Sequence, residues 1–167
     1  MHTLEEVRTE YDRLDKLLGI DTNGIELRVS TRAVRQLGSF RASRPLRITL
    51  SSLVMEDDAL FMDTLRHEYA HAAVHLLYPG EKHGHDKVWK DVCRRIGCRP
   101  QSRTELSGTA AELREQKIKY IIRCKGCGRE SGYVRRGKAV ELIQRGRGSR
   151  LRCRACGGNN FELYIKE

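Results

Sequence analysis

The stretch His67-Glu68-Tyr69-Ala70-His71 lies in the middle of the sequence and has the pattern H-E-x-x-H. Two histidines four residues apart on a helix lie on the same face, so both imidazoles can reach one metal ion. The glutamate that directly follows the first histidine is placed to act as a general base toward water. The sequence therefore predicts a zinc site on a helix, with His67 and His71 as ligands and Glu68 as the base.

The sequence on either side of this motif favours a long helix. No Pro or Gly occurs from residue 56 to residue 78, and apolar residues recur there at helical spacing. Pro79 and Gly80 then predict the end of the helix. The alternative is a surface helix that carries these residues by chance, but charged groups within an apolar helix need a physical reason to be there.

Two more helices and two strands are predicted around the metal helix. An amphipathic helix is expected over residues 4–18 and another over residues 86–96. Strand-like runs at residues 25–29 and 46–50 come before the metal helix, with a turn expected at Gly38.

Six arginines occur in this strand region, and no acidic residue is present from position 27 to position 55. This pattern indicates either a second surface for an anionic ligand or the exposed faces of a twisted hairpin. The six are Arg28, Arg32, Arg35, Arg41, Arg44 and Arg47.

Four cysteines near the C-terminus form two Cys-x-x-Cys pairs, Cys124 with Cys127 and Cys153 with Cys156. A pair at this spacing on a tight turn presents two thiolates to one metal, and two pairs complete a tetrahedral shell. Short β-like runs at residues 120–122, 132–134, 142–143 and 161–165 surround them. The sequence thus predicts a structural zinc ribbon, with a redox disulfide or buried free thiols as the alternatives.

The net charge of +10 is concentrated in the C-terminal third. Residues 1–100 carry 16 Lys and Arg against 15 Asp and Glu, whereas residues 101–167 carry 16 against 7. This asymmetry indicates a polyanion as partner, most simply nucleic acid, although a solvated face that aids solubility is the alternative. The candidate contacts are Arg135, Arg136, Lys138, Arg145 and Arg147.

Two tyrosines, Tyr120 and Tyr133, are interleaved with these cationic side chains. Phosphate contacts combined with base stacking suit single-stranded or distorted nucleic acid, which is therefore the expected partner. No apolar run approaches the roughly 18 residues that cross a membrane, and the N-terminus does not have the pattern of a signal peptide. We therefore expect no membrane partner and a cytoplasmic protein, nucleoid-associated if prokaryotic, whose cysteines bind metal.

A hydrolytic zinc site needs a third protein ligand and one position for water. The metzincin spacing would place Gly at position 74 and His at position 77, but the chain has Val74 and Leu77 there, which excludes that class. His83 and His85 are nearer in chemistry than the glutamates downstream. The candidates are therefore Glu81, Glu105, His83 and His85.

At this point the chain resembles the SprT-like zinc metalloproteases, the Spartan-related family, whose usual third-ligand pattern is His-Gly-x-x-Phe/Trp. His85 keeps the spacing to Trp89 but is followed by Asp86, whereas His83-Gly84 keeps the glycine and places Lys87 at the aromatic position. The register with Trp89 favours His85 as the third ligand. Bacterial and archaeal members often carry a C-terminal zinc ribbon, which matches the four paired cysteines.

The resemblance implies an α+β fold: a zincin-like metalloprotease domain, of helices and a short sheet, followed by a Cys₄ zinc-ribbon β module. We expect the protease domain over residues 1–100, a linker with a short helix over residues 101–117 and the basic ribbon over residues 118–167. The resemblance also implies two Zn²⁺ ions, one catalytic and one structural. The activity it implies is that of an endopeptidase acting on DNA-bound or DNA-crosslinked proteins.

Two other functions remain open. The chain could be a non-catalytic nucleic-acid-binding protein in which both zincs are structural, provided that His83 and His85 both bind and close the first site. It could also be a peptidase for free peptides whose basic module serves another contact, such as the ribosome.

Overall fold

The computed structural model describes residues 1–34, 36–102 and 108–166. Two of the residues considered above, Arg35 and Glu105, therefore lie outside the described part of the chain. The chain divides into two compact units, Met1–Leu113 and Arg114–Glu167. Among the described helices, none has both the length and the apolar character needed to cross a membrane.

The first unit is a mixed α+β structure in which a three-stranded sheet precedes the central helix. Its elements are α1 (Leu4–Leu18), β1 (Glu26–Ser30), β2 (Gly38–Arg41), β3 (Arg47–Ser51), α2 (Asp58–Leu77), α3 (Lys87–Arg95) and the first part of α4 (Gly108–Lys117). The strand order is β1-β3-β2, with β1 parallel and β2 antiparallel to β3. Among the strands that the structure describes, β2 is hydrogen-bonded to β3 alone, so it forms an edge of this sheet.

A twisted hairpin of the two strand-like runs, one of the two interpretations of the arginine pattern, is wrong, since β1 and β3 run parallel. Parallel neighbours need a long connection, and this one contains β2, which the sequence analysis treated as a turn at Gly38. The buried residues Ile48 and Leu50 point to one face of β3, while Arg47 and Thr49 point to the other.

The helix that carries the H-E-x-x-H motif, α2, lies at the centre of the first unit. Half of its residues are buried and they occur around most of its circumference, which is typical of a helix covered on several sides. Asp57 caps its start by accepting a hydrogen bond from the amide of Leu60 (3.1 Å) and also accepts from the amide of Ala110 (3.3 Å). One buried carboxylate thus holds the starts of both α2 and α4.

The second unit is a small antiparallel sheet with one helix. It contains β4 (Tyr120–Cys124), β5 (Glu130–Tyr133), α5 (Lys138–Gln144) and β6 (Phe161–Ile165), with strand order β5-β4-β6. The predicted strand at residues 142–143 is wrong, because this segment belongs to α5. Val140 is buried and Ile143 half-buried one turn later, which is helical spacing rather than alternation.

A hydrogen-bonded contact fixes α1 on α2 below the motif. The hydroxyl of Tyr69, a residue within the motif, donates to Oδ1 of the buried Asp15 (2.8 Å). The other oxygen of Asp15 accepts from the amide (2.8 Å) and the hydroxyl (2.9 Å) of Thr22. The hydroxyl of Tyr11 donates to the carbonyl of Leu65 (2.9 Å). Two buried tyrosines therefore set the position of α1 against the metal helix.

The substitution Tyr69→Phe should lower the free energy of unfolding of the first unit by about 1–2 kcal/mol, because a buried acceptor on Asp15 loses its donor. The single tryptophan, Trp89, lies in this unit, so its fluorescence during urea unfolding reports on the unit alone. Tyr11→Phe is the matched control, with an expected loss of about 1 kcal/mol. If Tyr69→Phe unfolds at the wild-type urea concentration, the bond to Asp15 does not stabilise the fold.

Candidate metal centres and cleft

Three histidines of the first unit bring their Nε2 atoms together. His67 and His71 lie one turn apart on α2, and His85 lies two residues before α3 begins. The Nε2 atom of His85 is 3.1 Å from that of His67 and 3.2 Å from that of His71. Nitrogens bound tetrahedrally at about 2.0–2.1 Å from one zinc ion would be about 3.3–3.4 Å apart. The arrangement could therefore hold one zinc ion, as the donor atoms already have nearly the required spacing.

The side chain of Trp89 packs against all three imidazoles. It is fully buried, and its ring centroid lies 4.6–5.2 Å from those of His67, His71 and His85. Asp86 caps α3 by accepting a hydrogen bond from the amide of Trp89 (3.1 Å). This cap sets the backbone between His85 and Trp89, four residues later. Both rings can therefore reach the same cluster.

The structure places His83 apart from this cluster. Its Nδ1 lies 2.7 Å from Oδ2 of Asp86, and its Nε2 lies 3.2 Å from Oε2 of Glu81. The hydrogen bond to Asp86, and to a lesser extent the contact with Glu81, raises the pKa of His83. Because both ring nitrogens face carboxylates, neither His83 nor Glu81 joins the three converging imidazoles.

The two histidines of α2 are held in the form that binds metal. Burial, assisted by the neighbouring imidazoles, lowers the pKa of His67 and of His71 to about 4. At neutral pH both rings are therefore uncharged. A neutral imidazole has a lone pair available for a metal ion, whereas a protonated one does not.

Glu68 lies beside this cluster and is almost completely buried, with 6% of its surface exposed. Burial raises its pKa to about 8, although a hydrogen bond from the backbone of Phe40 lowers it. A carboxyl group with a pKa near neutrality can both accept and return a proton efficiently.

The edge strand β2 packs directly against the side chain of Glu68. A methyl group added at Gly38 would lie 2.5 Å from both Cγ and Oε1 of Glu68. Any larger residue would thus have to displace the glutamate. The glycine at this position is required by the close approach of strand and side chain rather than by a turn.

The histidines and Glu68 open into a cleft of about 850 Å³. One wall consists of β2 and the residues beside it, and another consists of the segment that follows α2. The lining includes Leu37, Gly38, Phe40, Ala42, Val74, His75 and residues 80–83. This cleft is large enough to admit an extended peptide segment next to the three imidazoles.

In the second unit, the four paired cysteines form another cluster. The Sγ atoms of Cys124 and Cys156 are 3.6 Å apart, and those of Cys127 and Cys153 are 3.7 Å apart. Sulfurs bound tetrahedrally to zinc at about 2.3 Å would be about 3.8 Å apart, whereas a disulfide requires about 2.0 Å. The four thiols could therefore hold a second zinc ion, which is consistent with a zinc ribbon.

Both Cys-x-x-Cys turns have the same backbone geometry. Gly128 and Gly157 follow the second cysteine of each pair with φ values of +73° and +72°, and their amides donate to the carbonyls of Cys124 and Cys153. Hydrogen bonds from backbone amides of residues 155 and 156 lower the pKa of Cys153 to about 6, which favours the thiolate.

The candidate nucleic-acid contacts of the second unit are exposed. Arg135 and Arg136 follow β5, Lys138 begins α5, and Arg145 and Arg147 lie in the turn after α5. Tyr120 and Tyr133 are directly opposite each other on β4 and β5 and are half-buried.

The fold and the clusters define an α+β protein whose first unit has the donor set of a zinc metalloprotease: an H-E-x-x-H helix, a third histidine and a buried glutamate. A sequence profile of the SprT-like family matches residues 4–112, well over half of the chain. The chain therefore belongs to the SprT-like family, and its first unit is a metalloprotease-like domain. Comparison with curated protein sequences gives no significant match.

Three contributors to the site were missed by the sequence analysis. Gly38 and the backbone of Phe40 contact Glu68, and Asp86 both caps α3 and binds His83. An aspartate three residues before a helical tryptophan is a recognisable N-cap signal. No comparable signal links Gly38 to Glu68, because this contact depends on how the sheet packs on α2.

Zinc content should distinguish the two histidines at the start of α3. Full-length wild-type protein should contain two zinc ions per chain, and His85→Ala should contain one, because two imidazoles bind zinc far more weakly than three. His83→Ala is the matched control and should retain two. Two zinc ions in His85→Ala and one in His83→Ala, measured by mass spectrometry of the metal after dialysis, would reverse the assignment.

Proposed function

We propose that this protein is a zinc-dependent endopeptidase that cleaves proteins bound or crosslinked to DNA. The observation that carries the proposal is the convergence of three imidazoles, in which the Nε2 atom of His85 lies 3.1 Å from that of His67 and 3.2 Å from that of His71, beside the buried Glu68 and at the edge of a cleft. Three protein ligands are the number found in catalytic zinc sites, which keep one position for water or substrate.

In this proposal His67, His71 and His85 hold the zinc ion as neutral imidazoles. Zinc, when bound, polarises a carbonyl group and lowers the pKa of water toward about 7. Glu68 accepts a proton from the attacking water and then returns it to the nitrogen of the leaving amine. The raised pKa of Glu68 and its burial support this role, because a carboxylate with a pKa near neutrality is basic enough to accept a proton from water and its conjugate acid is strong enough to return it.

The edge strand β2 offers a way to hold the substrate. Edge strands present unpaired backbone groups that an extended peptide can join by hydrogen bonding. Gly38, Ser39 and Phe40 of this strand line the cleft, and Glu68 contacts the same strand. A peptide paired with β2 would therefore pass close to the proposed base.

The second unit is proposed to recognise DNA, with zinc held by Cys124, Cys127, Cys153 and Cys156 in a structural role. Its exposed cations include Arg135, Arg136, Lys138, Arg145 and Arg147. Tyr120 and Tyr133 add aromatic surface, and this combination favours single-stranded or distorted DNA. A cytoplasmic location, at the nucleoid if prokaryotic, agrees with six cysteines that form no disulfide.

The non-catalytic alternative requires four protein ligands at the first site. Both ring nitrogens of His83 face carboxylates, which argues against it as a fourth ligand. A structural site would also have no use for a buried glutamate with a raised pKa. The peptidase for free peptides differs only in its substrate, so DNA dependence of cleavage separates it from our proposal.

Substitution of Glu68 tests the enzyme. Glu68→Gln keeps the size of the side chain but removes the base, so cleavage of a basic DNA-binding protein should fall by about 10²–10⁴-fold. Zinc content should remain at two ions per chain. The control Glu112→Gln, an exposed residue of α4, should cleave like the wild type.

The same assay is run with and without single-stranded DNA. Cleavage only in the presence of DNA supports the proposed substrate, and equal cleavage in its absence favours the peptidase for free peptides. If neither wild type nor Glu68→Gln cleaves the protein, while both bind zinc and DNA equally, the non-catalytic alternative is correct.

Replacing Arg135, Arg136 and Lys138 by Ser tests the DNA contacts of the second unit. Each lost phosphate contact should reduce the salt dependence of single-strand binding by about 0.7, so the triple variant should lower the log–log slope by about 2. Lys90, Arg94 and Arg95 on α3, all exposed, provide a control with the same change in charge. Fluorescence anisotropy over a salt series gives the slopes, and equal slopes for both triple variants would exclude the proposed contacts.

A further inference from the structure

The sheet of the first unit has a polar face, one of whose residues, Ser39, also lines the cleft. The strand register places Glu26, Arg47 and Arg41 in one row across β1, β3 and β2, and Arg28, Thr49 and Ser39 in the next. Because side chains alternate along a strand, these six share one face, while Ile48 and Leu50 point to the core. We call these six residues the outer face.

The outer face is strongly basic. It carries three arginines and one carboxylate, and Glu26 contacts the Nε atoms of both Arg28 and Arg47. The contact with Arg47 is 2.6 Å long. Arg41 is exposed, and Arg44 is exposed in the turn between β2 and β3. The sequence has no acidic residue from position 27 to position 55, and Glu26 is the carboxylate among the six residues of this face.

The chemistry of this surface matches a phosphate backbone. Arginine side chains form paired hydrogen bonds with phosphate oxygens, and hydroxyl groups such as those of Ser39 and Thr49 add further donors. The six residues of the outer face include no aromatic ring on which a base could stack. Contacts to sugar and phosphate, rather than to bases, are therefore the kind of binding that this face can provide.

The outer face adjoins the cleft through a shared strand. Arg41 lies between Phe40 and Ala42, and both neighbours line the cleft. A ligand that contacts Arg41 is therefore within one residue of the wall along which a protein substrate would lie.

We propose that the outer face and Arg44 form a second nucleic-acid contact surface, which binds the sugar–phosphate backbone beside the cleft. This inference rests on the nucleic-acid partner proposed above but not on catalysis. Its consequence is that the first unit itself holds the nucleic acid next to the cleft, in addition to any binding by the second unit.

The experiment measures DNA binding by the full-length chain with Arg41→Ser and Arg44→Ser combined. Both side chains are exposed, so the fold should be retained, and urea unfolding followed by Trp89 fluorescence verifies this. Anisotropy titrations use a labelled oligonucleotide, single-stranded or as a duplex, over a salt series. The log–log slope should fall by about 1.4 for the single strand and about 1.8 for the duplex.

Arg94→Ser combined with Arg95→Ser is the matched control, because it removes the same charge from exposed positions on α3. A larger loss of slope in the Arg41 and Arg44 variant than in the control supports the inference. Equal losses of slope in the two variants overturn the inference, even if the wild type binds DNA through the second unit. If the wild-type chain binds no DNA at all, the proposed partner itself is wrong.

Competition distinguishes nucleic acid from an acidic protein. Unlabelled DNA should displace the labelled oligonucleotide at a much lower charge concentration than poly-glutamate does. Equal displacement by poly-glutamate, lost in the Arg41 and Arg44 variant, would assign this face to acidic proteins and overturn the inference.

Discussion

The first unit depends on the close approach of three imidazoles, those of His67, His71 and His85. The Nε2 atom of His85 lies 3.1 Å from that of His67 and 3.2 Å from that of His71, and the surrounding structure holds the three rings at this spacing. Here the rigid spacing on α2 sets two of the rings and the capped start of α3 sets the third. Trp89 fills the space beneath them. The fold thus holds three donor atoms near the spacing that a tetrahedral zinc ion requires.

The burial of Glu68 has an energetic cost, since a carboxylate that is largely removed from water loses its hydration. The edge strand β2 meets part of this cost through the backbone of Phe40, and the absence of a side chain at Gly38 allows the strand to come close enough. The same approach brings the unpaired edge of the sheet alongside the cleft. The position of the base and the wall that can receive a peptide are therefore consequences of one packing contact.

The sequence predicted those parts of the structure that local chemistry determines. Periodicity and capping predicted α1, α2 and α3 to within about two residues at each end, and the Cys-x-x-Cys-Gly pairs predicted the second metal cluster. Register with Trp89 selected His85, which the structure places in the cluster. The parallel pairing of β1 with β3 was missed because it depends on a long connection. The strand at residues 142–143 was wrong because two apolar residues cannot distinguish a strand from one helical turn.

The two candidate metal sites differ in how far the fold around them depends on the metal. The first unit has a core of its own, so α2 is held by residues such as Tyr11, Leu65 and Tyr69 whether or not a metal binds. In the described part of the second unit, the buried apolar side chains are Ile122, Val140, Cys124 and Cys153, and two of these four belong to the Cys₄ cluster. So small a core is too little to stabilise a fold alone, and a metal ion held by the four thiols would supply much of the folding energy. Removal of metal from the whole chain would therefore unfold the second unit, whereas in the first unit it would remove the ion beside the cleft and leave the fold intact. For this reason only changes confined to the histidine cluster and Glu68 report on the cleft itself.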